Sequence, residues 1–146
     1  MSDSHPRTRL AAAGLVWAFA TFSGGAAPAR ADDALAPFAA ESVIEIATRD
    51  EDGAARDTPV WIVALDGAAF VRTNDSRWLA NIRRGSPVAI RAAGAERAVR
   101  ASEVADAALK ARVEEAFLAK YGRMQRVMSA LRWREPTVLR LEPAAP

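Results

Sequence analysis

Cysteine is absent from this 146-residue chain, and its one histidine, His5, stands among the first ten residues. Lysine occurs only at Lys110 and Lys120, and tyrosine only at Tyr121. The first residues are read as a processing segment. Met1 to Arg9 carries Arg7 and Arg9, Leu10 to Phe22 is an uncharged apolar run, Gly24-Gly25 breaks it, and Ala29-Arg30-Ala31 presents small residues where a signal peptidase reads. The apolar run is shorter than the roughly 20 residues a spanning helix needs. The expectation is therefore a signal peptide over residues 1–31, cleaved after Ala31, and a protein that is exported, periplasmic or secreted.

With that segment removed, neither histidine nor cysteine remains. A Ser-His-Asp triad, a thiolate nucleophile, a His- or Cys-ligated zinc and a His-ligated haem are all excluded, and no metal site is expected. Disulfides are excluded as well, so packing alone must hold the fold. Residues 1–31 also carry three arginines and one aspartate, so the remainder has 17 basic and 17 acidic residues. The high isoelectric point of the whole chain is thus no argument for a nucleic-acid partner.

What is present is a single domain's worth of sequence, 51% hydrophobic. Asp32 to Ala40 reads as a flexible lead-in held by Phe38, the domain runs over residues 41–142, and 143–146 form a tail. Ser42 to Thr48 alternates as a half-buried strand. Asp50 to Asp57 is a polar connection, and Thr58 to Leu65 a second strand. Asp66-Gly67 supplies the positive φ angles of a two-residue hairpin turn into a third strand, Ala68 to Arg72. Thr73, Asn74, Asp75 and Ser76 end that strand and cap a short helix with Trp78, Leu79 and Ile82 at one-turn spacing. Val88 to Ala92 and Glu96 to Val104 read as strands four and five. Asp106 caps a longer helix bearing Leu109, Val113, Phe117 and Tyr121, stopped by Gly122. Arg123 to Glu135 reads as a packed loop, with or without a helical turn, and Val138 to Leu141 as the closing strand. The fold class expected is mainly β (α+β): a six-stranded split β-barrel with a short helix after strand 3 and a longer helix after strand 5, closure hiding most of the strand edges.

Candidate site residues cluster around the short helix. Arg72, Thr73, Asn74, Ser76 and Arg77 bring guanidinium, hydroxyl and amide groups to the end of the third strand, where they serve either a phosphate or turn and cap chemistry. Trp61 and Trp78 are either walls for a flat ring or core residues. Asn81 bonds either a ligand or backbone across the barrel. Glu114 and Glu115 point in different directions and are read as a solvated helix face.

Two segments of this pattern resemble the split-barrel superfamily that includes pyridoxamine-phosphate oxidases, other FMN-binding proteins and deazaflavin-dependent nitroreductases. They are Thr48-Arg49 with Arg56-Asp57-Thr58-Pro59, and Trp78-Leu79-Ala80-Asn81-Ile82 with Ser86-Pro87-Val88. Pro59-Val60-Trp61-Ile62-Val63, Asp66-Gly67, Val71-Arg72 and Lys120-Tyr121-Gly122-Arg123 are similar to a bacterial split-barrel family of unknown function. The resemblance implies FMN or a related flavin as cofactor, a homodimer, and Arg49 and Arg56 beside the cofactor phosphate. One departure stands against it: the turn between them is Asp50-Glu51-Asp52-Gly53, whose carboxylates repel a phosphate unless the flanking arginines compensate. Two readings follow. The first is a barrel binding a flavin-like or other flat anionic ligand, with oxidoreductase activity as the reaction class; the second is a cofactor-free binding or interaction module.

Overall fold

The computed structural model describes residues 31–130 and 134–145, so the expected signal segment, all but Ala31, lies outside the described residues. One seven-stranded antiparallel sheet makes up the body: β1 (Ile44–Arg49), β2 (Ala55–Val60), β3 (Ile62–Leu65), β4 (Ala68–Thr73), β5 (Val88–Ala92), β6 (Ala95–Glu103) and β7 (Thr137–Pro143). Three helices accompany it: α1 (Ala36–Ala39), α2 (Arg77–Arg83) and α3 (Ala107–Ala130). The sheet order is β2-β1-β5-β6-β7-β4-β3. β2 and β3 are thus its two edges, yet only Trp61 separates them in the chain. Since one residue spans under 4 Å, the sheet must curl until its edges approach at that residue, which is the geometry of a split barrel.

The strand count is seven and not six, and the reason lies at Trp61. Val60 pairs with Ile44 of β1, whereas Ile62 pairs with Val71 of β4. A continuous apolar run carries no mark of a change of partner, so Thr58 to Leu65 reads as one strand in sequence and is two in space. The Asp66-Gly67 turn is as expected, with φ of 52° and 78°. Ser76 caps α2, its hydroxyl accepting the Leu79 amide at 3.3 Å, and Asp106 caps α3 through the Leu109 amide at 2.9 Å.

Alternation along the strands divides the core in two. Ile44, Ile46, Ala69, Val71, Ile90, Leu139 and Leu141 point into the curl, where Trp78 and Leu79 of α2 join them. On the outer face Phe70, Ala68, Val63 and Val138 meet Val113 and Phe117 of α3. β4 is consequently buried on both faces. The segment before β1, expected to be held by Phe38 alone, is held by Leu35 and Ala39 as well, all three packed into the inner cluster. The chain beyond Gly122 also differs from the packed loop expected: Gly122, at φ 54° and ψ −127°, breaks α3, and helical structure then resumes to Ala130. Among the described residues no helix is long and apolar enough to cross a membrane.

Candidate functional site

Between β2, the end of β4 and the start of α2 lies an open pocket of about 650 Å³. Its apolar wall is Val43, Pro59, Val60, Trp61 and Trp78, and its polar wall Arg56, Thr58, Arg72, Thr73, Ser76 and Arg77. Among the described residues three arginines line it and no carboxylate does. The curl explains the gathering: residues far apart in the sheet order meet because its two edges come together at Trp61.

Seven of the ten candidate residues, Arg56, Trp61, Arg72, Thr73, Ser76, Arg77 and Trp78, fall on this pocket. Arg49, Asn74 and Asn81 do not. Arg49 turns back on its own hairpin, its guanidinium donating to the Gly53 carbonyl at 3.2 Å. Asn74 is exposed on the bend before α2. Asn81, 2% exposed, donates to the Thr48 hydroxyl at 3.0 Å and the Asp50 carboxylate at 2.8 Å while its carbonyl accepts from Arg84. These bonds run to side chains and not to the backbone that one reading of Asn81 expected, and they tie α2 to the β1–β2 hairpin.

The pocket arginines are unlike one another. Arg56 clasps Asp50 through two nitrogens, at 2.7 and 2.6 Å. That bidentate contact, with the Asn81 amide beside it, holds the Asp50 carboxyl far below its ordinary range. The Asp50 charge of the acidic turn is therefore compensated by Arg56, while Glu51 and Asp52 remain exposed. Arg72 shares the outer face of β4 with Phe70, because alternate residues point the same way. Its side chain, 2% exposed, pairs with Glu114 and lies 4.1 Å from the Phe117 ring centroid. Glu114 is thus not the solvated group read from the helix pattern. Arg77 is exposed; its side chain makes no hydrogen bond or salt bridge to another described residue, and its charge contributes to lowering the Asp50 pKa.

Trp78 is 3% exposed and belongs to the inner core. Trp61 is half-buried, with the Tyr121 ring stacked on it at 4.4 Å between centroids and 6° between planes. Tyr121, read as packing, also hydrogen bonds: its oxygen accepts the Ile62 amide at 3.0 Å and lies 2.7 Å from the Ser42 carbonyl. Burial raises its pKa above 10.0. Lys120 donates to the carbonyls of Ala39 at 2.8 Å, Glu41 at 2.5 Å and Ile62 at 2.8 Å, and burial lowers its pKa. The Pro-x-Trp-x-Val and Lys-Tyr-Gly-Arg motifs, 60 residues apart, therefore meet at the barrel seam; an unpaired motif in sequence gives no sign of its partner.

The fold recurs in solved structures. A conserved hypothetical protein of Mycobacterium tuberculosis aligns with a TM-score of 0.57 at 19% identity, covering 74% of this chain and 76% of that one. The haem storage protein HutZ of Vibrio cholerae aligns at 0.55 and 21% identity, over 72% and 83% of the two chains. A FAD-binding protein of Mesorhizobium loti aligns at 0.51 and 15%, over 73% and 84%. These likenesses establish a split barrel shared with flavin- and haem-associated proteins. No curated protein matches the sequence. A family model does match, over residues 34–141, a span that takes in α1 and every strand to Leu141 of β7. The chain belongs to that family, described as uncharacterised proteins conserved in bacteria, DUF2255.

Proposed function

We propose that the pocket binds a flat anionic ligand of the flavin mononucleotide class. The observation that carries this reading is the composition of the wall: a half-buried tryptophan on one side, three arginines on the other, and no carboxylate among the lining residues. Trp61 offers a planar apolar surface for a ring system, and Arg77, uncommitted among the described residues, offers a charge-assisted contact for an anionic group. Arg56 and Arg72 border the same space while held by Asp50 and Glu114, so they shape the pocket and its potential more than they are free to follow a ligand. A bound flavin would itself carry the redox chemistry, leaving binding and orientation to residues beyond 31, which include no histidine, and oxidoreductase activity is the matching reaction class. The likeness to a FAD-binding barrel supports the same reading.

Export and pairing complete the proposal. The pattern of residues 1–31 supports a protein that acts outside the cytoplasm. Val43, on the pocket's rim and 49% exposed, supports a second copy of the chain covering the open side. The test is the visible absorption spectrum of protein recovered from the periplasm and again after incubation with FMN and gel filtration. Retained flavin absorbance is the expected result. Protein that stays colourless after FMN loading would replace this reading with the cofactor-free binding module.

A further inference from the structure

The seam at Trp61 joins the two features that the pocket and the family motifs leave separate. Trp61 is the single residue between the two edge strands: Val60 pairs with Ile44 and Ile62 with Val71, so its backbone is held on both sides while its ring is left to side-chain contacts. What covers it is α3: the Tyr121 ring lies parallel on one face of the indole. Trp61 also lines the pocket, and with Tyr121 on one face of the indole a ring stacking parallel to it has only the other face to take. Tyr121 is in turn fixed from three directions. Its hydroxyl bonds Ile62 and Ser42, its other neighbour is the Phe117 ring at 5.8 Å, and the adjacent Lys120 ammonium holds the carbonyls of Ala39, Glu41 and Ile62.

We infer that Tyr121 is a positioning residue for the ligand pocket: without lining it, Tyr121 sets the plane of Trp61 against which a flat ligand stacks. The inference rests on the proposed ligand reading and adds a residue and a role to it. It follows from how aromatic surfaces are recognised. An indole held in one plane presents the same face to every incoming ring, whereas an indole with a free χ2 loses rotational freedom on binding, which weakens the complex. The stacked ring supplies that restraint, and the hydroxyl's bonds locate the ring. Removal of each part has a different consequence.

The experiment uses Tyr121→Phe, which keeps the ring and loses the hydroxyl, and Tyr121→Leu, which loses both. FMN titration of each is compared with thermal melting and near-ultraviolet circular dichroism. The expected result is that Tyr121→Phe melts at a lower temperature than the parent yet binds FMN within threefold, while Tyr121→Leu binds at least tenfold more weakly and loses an aromatic dichroic band that Tyr121→Phe retains. Equal FMN affinities for the two variants, or a loss in Tyr121→Phe as large as in Tyr121→Leu, would overturn it. Trp61→Phe and Trp61→Leu give the same contrast from the other side of the stack should Tyr121→Leu not fold. If the parent itself fails to bind FMN, the ligand reading falls by itself, and the dichroic band still decides: its loss only in the leucine variant supports positioning of Trp61, and its persistence in both overturns it.

Discussion

Arg77 and Arg72 stand five residues apart on one pocket and have opposite commitments. Arg72 is a buried structural ion: removing it leaves Glu114 without that partner and Phe117 without its cation. Glu114 keeps 36% of its side chain in water, so the loss falls below the range for fully buried pairs, on the order of 2 kcal/mol. Arg72→Ala is expected to lower the unfolding free energy measured in urea by that amount. Arg77→Ala is expected to leave stability unchanged and to weaken FMN binding by about 1.5–3 kcal/mol, through loss of a charge-assisted contact. Both are read from paired unfolding and titration curves. The difference between the arginines was within reach of the sequence, since Val71 pointing inward sends Arg72 outward under the long helix, but the identity of its partner, 42 residues on, was not. Asp50 makes a third residue-scale test. Its folded pKa is depressed below 3.8, chiefly by Arg56, so its contribution to stability is present above the unfolded value near 4 and disappears as pH falls through the folded one. Melting temperature is expected to drop from about pH 4 downward, with a shallower acid limb for Asp50→Asn.

Helices and strands follow the sequence where one local rule governs them. β5 lies over Val88–Ala92 as the apolar run between Pro87 and Gly94 implies, and α2 begins after the cap that Ser76 supplies. Local rules fail where a long-range event intervenes, as at Trp61, where the chain leaves β1's partner strand for β4's. They also fail at Gly122, a stop signal that proves to be a break inside a longer helical stretch. With φ 54° and ψ −127°, that position suits glycine for backbone reasons alone, since a Cβ there would meet no atom within 4 Å. Gly122→Ala is expected to destabilise the fold by about 1–3 kcal/mol in urea unfolding. The β5–β6 hairpin predicts the opposite sign. Ala93 sits at φ 50° before Gly94 in a two-residue turn, a conformation alanine adopts at a cost of about 1–2 kcal/mol and asparagine tolerates. Ala93→Asn is expected to raise the unfolding free energy by about 0.5–1 kcal/mol, since asparagine tolerates the left-handed region at lower cost.

At the scale of the whole molecule, the split barrel was legible because short alternating strands, a hairpin turn and two capped helices leave edges that only closure can hide. The pocket was legible as a neighbourhood and not as a set of bonds: the residues around α2 gather there, but the commitments of Arg56, Arg72 and Asn81 depend on Asp50, Glu114 and Thr48, which alternation and spacing do not pair with them. Closure makes the site, because the edge that ends at Val60 and the edge that begins at Ile62 are joined through the tryptophan that lines it. The central claim is that this seam recognises a flat ring together with an anionic group. Its most direct test is an equilibrium titration of protein lacking residues 1–31 with FMN and, in parallel, with riboflavin, which shares the ring and lacks the phosphate. The account predicts that FMN binds and that riboflavin binds at least tenfold more weakly, as a charge-assisted contact worth about 1.5–3 kcal/mol requires. Equal affinity for the two, or no FMN binding at millimolar concentration, would contradict it.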